Sequence, residues 1–267
     1  MEDLKTLINK ILKKDSFLDN ERQLIYDVID KLDYGILSIV ENKKGKWYVN
    51  DHLRKAILLY FKIRNNCIVV QSAQKFFDKI PLKFQNWSES DFTQKKLRVV
   101  PGAVVRYSAY LGENVVIMPS FINVGARIES GTMIDSGSTI GSCAYIGKNC
   151  HISSGSTIAG VLEPESAAPV IIEDEVFIGA NSSISEGVRV CRGAVLASGV
   201  SISSSTKIYD RESNMILNEP VVPEFSVVVP GFINVEGPCV TQSAIIVKRV
   251  DEKTRSKTGI NELLRYT

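Results

Sequence analysis

Between residues 104 and 158 a large apolar or aromatic side chain returns at every sixth position: Val104, Tyr110, Val116, Ile122, Ile128, Ile134, Ile140, Ile146, Ile152 and Ile158. Neither the helical period of about 3.6 nor the strand period of about 2 produces that spacing. From Ile122 onward, the position four residues beyond each of these markers holds Ala126, Thr132, Ser138, Ala144, Cys150 and Ser156, all compact. The register breaks over AGVLEPESAAPVI and resumes at Ile172, Ile178, Ile184, Val190, Leu196 and Ile202, with Val176, Ser182, Val188, Ala194, Val200 and Thr206 as the smaller partners. Ile158 and Ile172 lie two periods plus two residues apart, so the break is an inserted loop near 159–171.

An internal repeat of six residues is the pattern of a parallel β-helix. Each hexad supplies a short strand and a corner, and three hexads close one triangular coil. The large side chain fills the interior, and a small one sits at the corner, where bulk would meet the next coil. Sixteen hexads predict about five coils and, at a strand spacing of roughly 4.8 Å, a prism roughly 25 Å tall. Prisms of this kind coil left-handed, against the usual right-handed rule for parallel crossovers.

The flanks lack the sixfold pattern. Arg22, Leu24, Ile25, Val28, Ile29 and Leu32 fit an amphipathic helix that ends before Gly35. A second helix is predicted through HLRKAILLYFKI, with Asn50 or Asp51 as its cap. Between them ILSIVENKKGKWYV reads as a hairpin turning at Lys44 and Gly45. Near the other end, SVVVPG and SAIIVKRV read as strands and TGINELLRYT as a short closing helix. The expected fold is mainly β: an α-rich domain over 1–97, a left-handed parallel β-helix over 98–229, and a β-rich segment with a basic tail over 230–267.

Composition narrows the class of function. Thirty-two basic against thirty acidic residues leave a net charge of +2, far from the balance of a nucleic-acid-coating protein, so an anion site must be local. Five cysteines, widely spread and never in CxxC spacing, suggest neither a zinc site nor a disulfide framework, and reduced thiols fit a cytoplasmic protein. The start, MEDLKTLINKILKKD, threads charges through its apolar residues, and no run of eighteen apolar residues occurs, which speaks against secretion and membrane spanning. The sequence has no P-loop-type phosphate motif.

At RVVPGAVVR (98–106), MPSFINVGA (118–126), GTMIDSGSTIGSCAYIGKN (131–149), GVLEPESAAPVIIED (160–174), STKIYDRES (205–213) and VKRVDEKTRSKTGINELLR (247–265) the chain resembles the 2,3,4,5-tetrahydropyridine-2,6-dicarboxylate N-succinyltransferases nearly end to end. The resemblance implies a homotrimer of left-handed β-helices. Its implied reaction transfers succinyl from succinyl-CoA, a co-substrate rather than a bound cofactor, to the amino group of ring-opened tetrahydrodipicolinate in diaminopimelate and lysine biosynthesis. It places Arg98 and Asp135 at the dicarboxylate substrate. A guanidinium can grip a carboxylate through two parallel hydrogen bonds, and a carboxylate can hold or deprotonate the substrate ammonium. Nothing in the sequence indicates a catalytic metal, and neither a nucleic-acid nor a membrane partner is expected from its charge and hydropathy.

The chain departs from the family where Asp135 is followed by Ser136 and Gly137 instead of Thr-Trp, and where Asn181 and Ser183 stand in place of Arg and Glu. Glu186, three residues beyond Ser183, is the candidate for the second carboxylate. Serines also replace glycines in HISSGSTIAG (151–160). Lys248, Arg249, Lys253, Arg255 and Lys257 are the candidates for CoA phosphates at the mouth of a groove between prisms, and Tyr145, Phe177 and Val195 for packing between subunits. Two other readings compete: an acetyltransferase with a histidine base, for which only His52 and His151 exist, and a prism that serves as a scaffold without catalysis.

Overall fold

The computed structural model describes residues 3–71, 74–162, 168–234 and 239–259. Three sheets form the walls of a triangular prism, two parallel ones of six strands and a mixed one of ten. Almost every wall strand is two residues long. The first wall runs Arg98–Val99, Val116–Ile117, Met133–Ile134, His151–Ile152, Phe177–Ile178 and Val195–Leu196, and continues into Ser226–Asn234. The second stacks Val104–Val105, Phe121–Ile122, Thr139–Ile140, Thr157–Ile158, Ser183–Ile184 and Ser201–Ile202. The third stacks Tyr110–Leu111, Arg127–Ile128, Tyr145–Ile146, Ile171–Ile172, Arg189–Val190 and Val221–Val222. Together they make six coils of a left-handed β-helix, one more than the hexad count predicts, because the outermost strands lie partly beyond the regular array.

In each two-residue strand the second residue points inward. Every marker from Ile122 to Ile202 is fully buried, each contributing about 1.5–3 kcal/mol relative to exposure. The first coil departs from the reading: its interior is filled by Val105, Leu111 and Ile117, not Val104, Tyr110 and Val116. The register is recovered by a five-residue step from Ile117 to Ile122. The corner residues from Ala126 to Val200 are buried as predicted, while Thr206 is only half-buried, and three corner hydroxyls donate to main-chain carbonyls one coil away. Thr132 Oγ1 donates to Gly147 O (2.7 Å), Ser138 Oγ to Ser153 O (2.9 Å) and Ser156 Oγ to Gly179 O (3.0 Å). Small size at these corners therefore serves packing, and a hydroxyl adds a link between coils.

The N-terminal part holds α1 (Leu4–Leu12), α2 (Asp19–Asp33), a hairpin of Val40–Lys43 and Lys46–Val49, and α3 (Asp51–Ile63). The hairpin turns at Lys44 and Gly45, both at positive φ, as the sequence predicts. A second hairpin (Cys67–Gln71 with Gln74–Asp78) and α4 (Glu89–Lys95) follow, and neither they nor α1 were predicted. This part has its own apolar core, to which the prism contributes Val124, Cys143, Val161 and Ile171. Trp47 packs edge-on against Tyr145, ring centroids 5.1 Å apart. Tyr145 is thus covered by its own chain and is removed from the residues proposed to pack between subunits. Gly35, at φ +78°, lies so close to the Tyr110 ring that any Cβ would collide with it. The outward turn of Tyr110 and the end of α2 fit each other.

Lys83 and Asp33 form a buried ion pair where the N-terminal part meets the prism. The ammonium lies 2.8 Å from Asp33 Oδ1 with side chains only 3% and 5% exposed, and Asp33 Oδ1 also accepts from Ser108 N (2.9 Å). Burial pushes the Asp33 carboxyl up and the Lys83 ammonium down.

Both prism ends are closed. Phe84, Trp87 and Phe92 pack against the core beside Leu97 at the start. At the other end Val240–Arg249 folds back antiparallel to Ser226–Asn234, with a bulge at Val227/Val228, and pairs on its far side with Lys207–Asp210. The basic segment after it forms α5 (Glu252–Thr258), capped by Asp251 on Thr254 N, where no helix was predicted. The closing helix read in TGINELLRYT falls almost wholly outside the described residues. No described helix is long and apolar enough to cross a membrane.

Candidate active site

The corner between the first and second walls is built from stacked turns. Their amides form a ladder: Gly137 N to Pro119 O (2.7 Å), Gly155 N to Ser136 O, Asn181 N to Ser154 O and Gly199 N to Ala180 O (each 2.9 Å). Asp135 opens one of these turns, directly after the buried Ile134. Its main chain is fixed by donation from Asp135 N to Ile152 O (2.9 Å). Oδ1 accepts from Ser136 N (2.7 Å), as an aspartate at a turn commonly does, and Oδ2 accepts from Ser154 Oγ one coil further on (2.9 Å). Gly137, at φ +73°, has the backbone of Gly155 3.7 Å from where a Cβ would lie, an ordinary contact distance.

Arg98 lies on the same wall. It pairs with Val116, which pairs with Met133, so two strand spacings, roughly 10 Å, separate its row from that of Asp135. Its side chain points outward and is exposed. The structure therefore brings Arg98 and Asp135 to one face near the start of the prism.

Glu186 is elsewhere. It sits in the turn between the second and third walls, where Gly187 N donates to Ala168 O (2.8 Å) at the return of the inserted loop. Asp135 and Glu186 thus occupy different edges of one prism, and only a second copy could set them side by side. The departing end of that loop is held to α3, with Arg54 Nη1 donating to Val161 O (3.3 Å). Ser183 is an outward residue of the second wall, and Asn181 lies on the Asp135 edge.

The basic candidates divide. Arg249 Nη1 donates to the buried Ser226 Oγ (2.6 Å), and its other nitrogens reach Asp210 (3.3 Å) and Glu212 (3.2 Å). It is a fastener of the terminal sheet, not an open cation. Lys248 pairs with Asp251 (2.6 Å) in an exposed contact. Lys253 and Arg255 are exposed on α5, and the side chain of Lys257 lies outside the described residues. Lys248 pairs with Val227 at the far end of the first wall, five strand spacings or roughly 25 Å from the Asp135 row. A ligand reaching both must lie along the prism.

His151 is an outward residue of the first wall, its ring stacked on Phe177 at 5.2 Å and 22°. His52 lies in the first turn of α3, its pKa lowered chiefly by burial. Sequence reasoning missed Ser154. Of the serines in HISSGSTIAG, Ser153 and Ser156 are buried, and Ser154 alone among the three faces the Asp135 edge.

Comparison with known proteins adds a second line. Residues 3–63 match the model of the tetrahydrodipicolinate N-succinyltransferase N-terminal region. Residues 125–160 match bacterial transferase hexapeptide repeats, and residues 169–204 the hexapeptide repeat of succinyl-transferase. The chain is 51% identical to a 2,3,4,5-tetrahydropyridine-2,6-dicarboxylate N-succinyltransferase of the Wolbachia endosymbiont of Brugia malayi, over 99% of each chain. It is equally identical to the Pseudoalteromonas translucida enzyme of that name, over 99% of this chain and 98% of the other. Among solved structures, a protein assigned as a tetrahydropyridine-carboxylate N-succinyltransferase from Campylobacter jejuni superimposes with a TM-score of 0.56 at 18% identity, covering 84% of this chain and 62% of that one, which supports the fold. With both flanking regions and the repeat array matched at about half identity, the chain belongs to the tetrahydrodipicolinate N-succinyltransferase family.

Proposed function

We propose that the protein transfers the succinyl group of succinyl-CoA to the amino group of ring-opened tetrahydrodipicolinate, in diaminopimelate and lysine biosynthesis. The observation that carries this reading is the joint placement of Arg98 and Asp135 on one face of the prism in a chain of this family.

In this scheme the exposed Arg98 guanidinium holds an acceptor carboxylate bidentately, and Asp135 accepts a proton from the acceptor ammonium. The free amine lone pair attacks the thioester carbonyl carbon. The C–N bond forms, the C–S bond breaks and the sulfur leaves as thiolate. The second proton of the nitrogen passes to that thiolate to give CoA thiol as the amide forms, and the proton held by Asp135 is released to solvent. Arg98 supplies grip and orientation, Asp135 the proton acceptor. Lys253, Arg255 and Lys257 draw the CoA phosphates, with Lys248 joining them when it leaves Asp251.

A homotrimer is part of the proposal. Of the outward apolar residues of the first wall, Val116, Met133 and Val195 are already buried within the chain, which leaves the half-buried Phe177 as the residue proposed to pack between identical prisms. A second copy also offers the only way to bring Glu186 to Asp135. A cytoplasmic location belongs to the same reading and is supported by five free cysteines.

The test is thiol release with succinyl-CoA and tetrahydrodipicolinate, run beside acetyl-CoA with the same acceptor. Release that requires both succinyl-CoA and the acceptor is the expected result. Preference for acetyl-CoA, or no release from folded protein with either donor, overturns the proposal.

A further inference from the structure

We infer that Ser154 is a positioning residue for the acceptor amine, acting through Asp135; the inference rests on the function proposed above. An aspartate carboxylate has about four lone-pair sites on two oxygens. At Asp135 one site on each oxygen is occupied: Oδ1 by the amide of Ser136, Oδ2 by the hydroxyl of Ser154. The first bond alone leaves the carboxylate free to swing about its anchored oxygen. The second, from a different coil, fixes its plane and directs the remaining lone pairs of both oxygens outward.

The hydroxyl that does this is itself held in place. Ser154 lies between two rungs of the corner ladder: Gly155 N donates to Ser136 O, and Asn181 N donates to Ser154 O. Asp135 N donates to Ile152 O in the same layer. The relative position of the two side chains is therefore set by two main-chain bonds between their coils, with Ser154 also tied to the next coil, and not by a mobile loop. Asp135 is half-buried and Ser154 exposed, so the bond lies at the mouth of the corner, where an approaching ammonium would meet the carboxylate.

The side chain makes no contribution to the interior: the buried corner hydroxyls of that coil belong to Ser153 and Ser156. Removing it should leave the prism intact and change only how Asp135 presents itself. A Ser154→Ala variant should keep the unfolding midpoint of the parent and lose about tenfold in kcat/KM for the acceptor, the size expected when one hydrogen bond to a charged group is removed. KM for succinyl-CoA should stay within about twofold, because the effect is confined to the amine. Ser154→Thr, which keeps the hydroxyl, should recover most of the loss. In an Asp135→Asn background the Ser154→Ala change should cost little more, because the two act as one unit.

A full tenfold cost that persists in the Asp135→Asn background, failure of threonine to rescue, or a loss expressed as a raised KM for succinyl-CoA would each overturn the inference while leaving the proposed reaction standing. Parent protein without succinyl transfer would instead remove the reaction and this inference with it.

Discussion

The indole N–H of Trp47 donates to Glu173 Oε1 over 2.8 Å, tying the first hairpin to a prism corner 126 residues later in the chain. Glu173 also accepts from Arg192 N (3.1 Å) and lies 3.6 Å from Arg189, so its charge stays partnered when the indole is lost. Trp47→Phe, which keeps the packing on Tyr145, should cost about 1 kcal/mol. Trp47→Ala, which loses both, should cost about 3 kcal/mol. Urea unfolding separates the two, and equal costs would show that the hydrogen bond alone matters.

Breaking the Lys83–Asp33 pair should be far more damaging. Lys83→Met leaves a carboxylate buried without a cation, at about 3–5 kcal/mol. Burial already raises the Asp33 pKa above its usual value. A raised folded-state value means that stability is full at acid pH, below the unfolded value, and declines as pH rises through the folded one. The deficit of Lys83→Met should therefore be smaller near about pH 5 than near about pH 8. The double change Lys83→Met with Asp33→Asn should recover part of the loss.

Thiol chemistry should sort the five cysteines by depth. Burial pushes Cys143 and Cys150 up to about 12 and Cys191 up to about 11, whereas Cys67 and Cys239 are exposed. Titration with an aromatic disulfide near neutral pH should show two fast thiols in native protein and the other three only after denaturation.

At the proposed site, Asp135→Asn should lower kcat by about 10²–10⁴ without shifting the unfolding midpoint. Arg98→Lys keeps the charge but loses the planar fork, and should raise KM for the acceptor by about tenfold. Turnover unchanged in both variants would remove these residues from the reaction.

How far the sequence could be read depended on how local each signal was. Period six identified the prism because Ile, Val or Leu returns at the interior position of every strand from Ile122 to Ile202, while its outward neighbour varies from Thr and Ser to Phe and Met. The first coil was misplaced by one residue because its strands, Val104–Val105, Tyr110–Leu111 and Val116–Ile117, carry two large side chains each. Size alone cannot choose the inward member of such a pair. α1 was legible but unread: Leu4, Leu7, Ile8 and Ile11 keep helical spacing behind Asp3, whose side chain accepts from Thr6 N.

The site was less accessible. That Arg98 and Asp135 share a face follows from counting three hexads per coil. The same counting, corrected for the inserted loop, assigns Glu186 to another edge. The Ser154–Asp135 bond needs the offset between successive turns, which no linear pattern carries, and the capture of Arg249 by Asp210 and Glu212 depends on a strand that returns from the far end of the chain.

The two closures of the prism bear on how the molecule behaves in a crowded solution. A stack of short parallel strands ends in rows of unpaired amides and carbonyls that could template another stack, the geometry by which solenoids grow into fibrils. Here the aromatic trio Phe84, Trp87 and Phe92 obstructs one terminus, and a reversed strand, Val240–Arg249, turns the other away from parallel continuation. The repeating parallel edge is interrupted at both termini, which disfavours lengthwise growth.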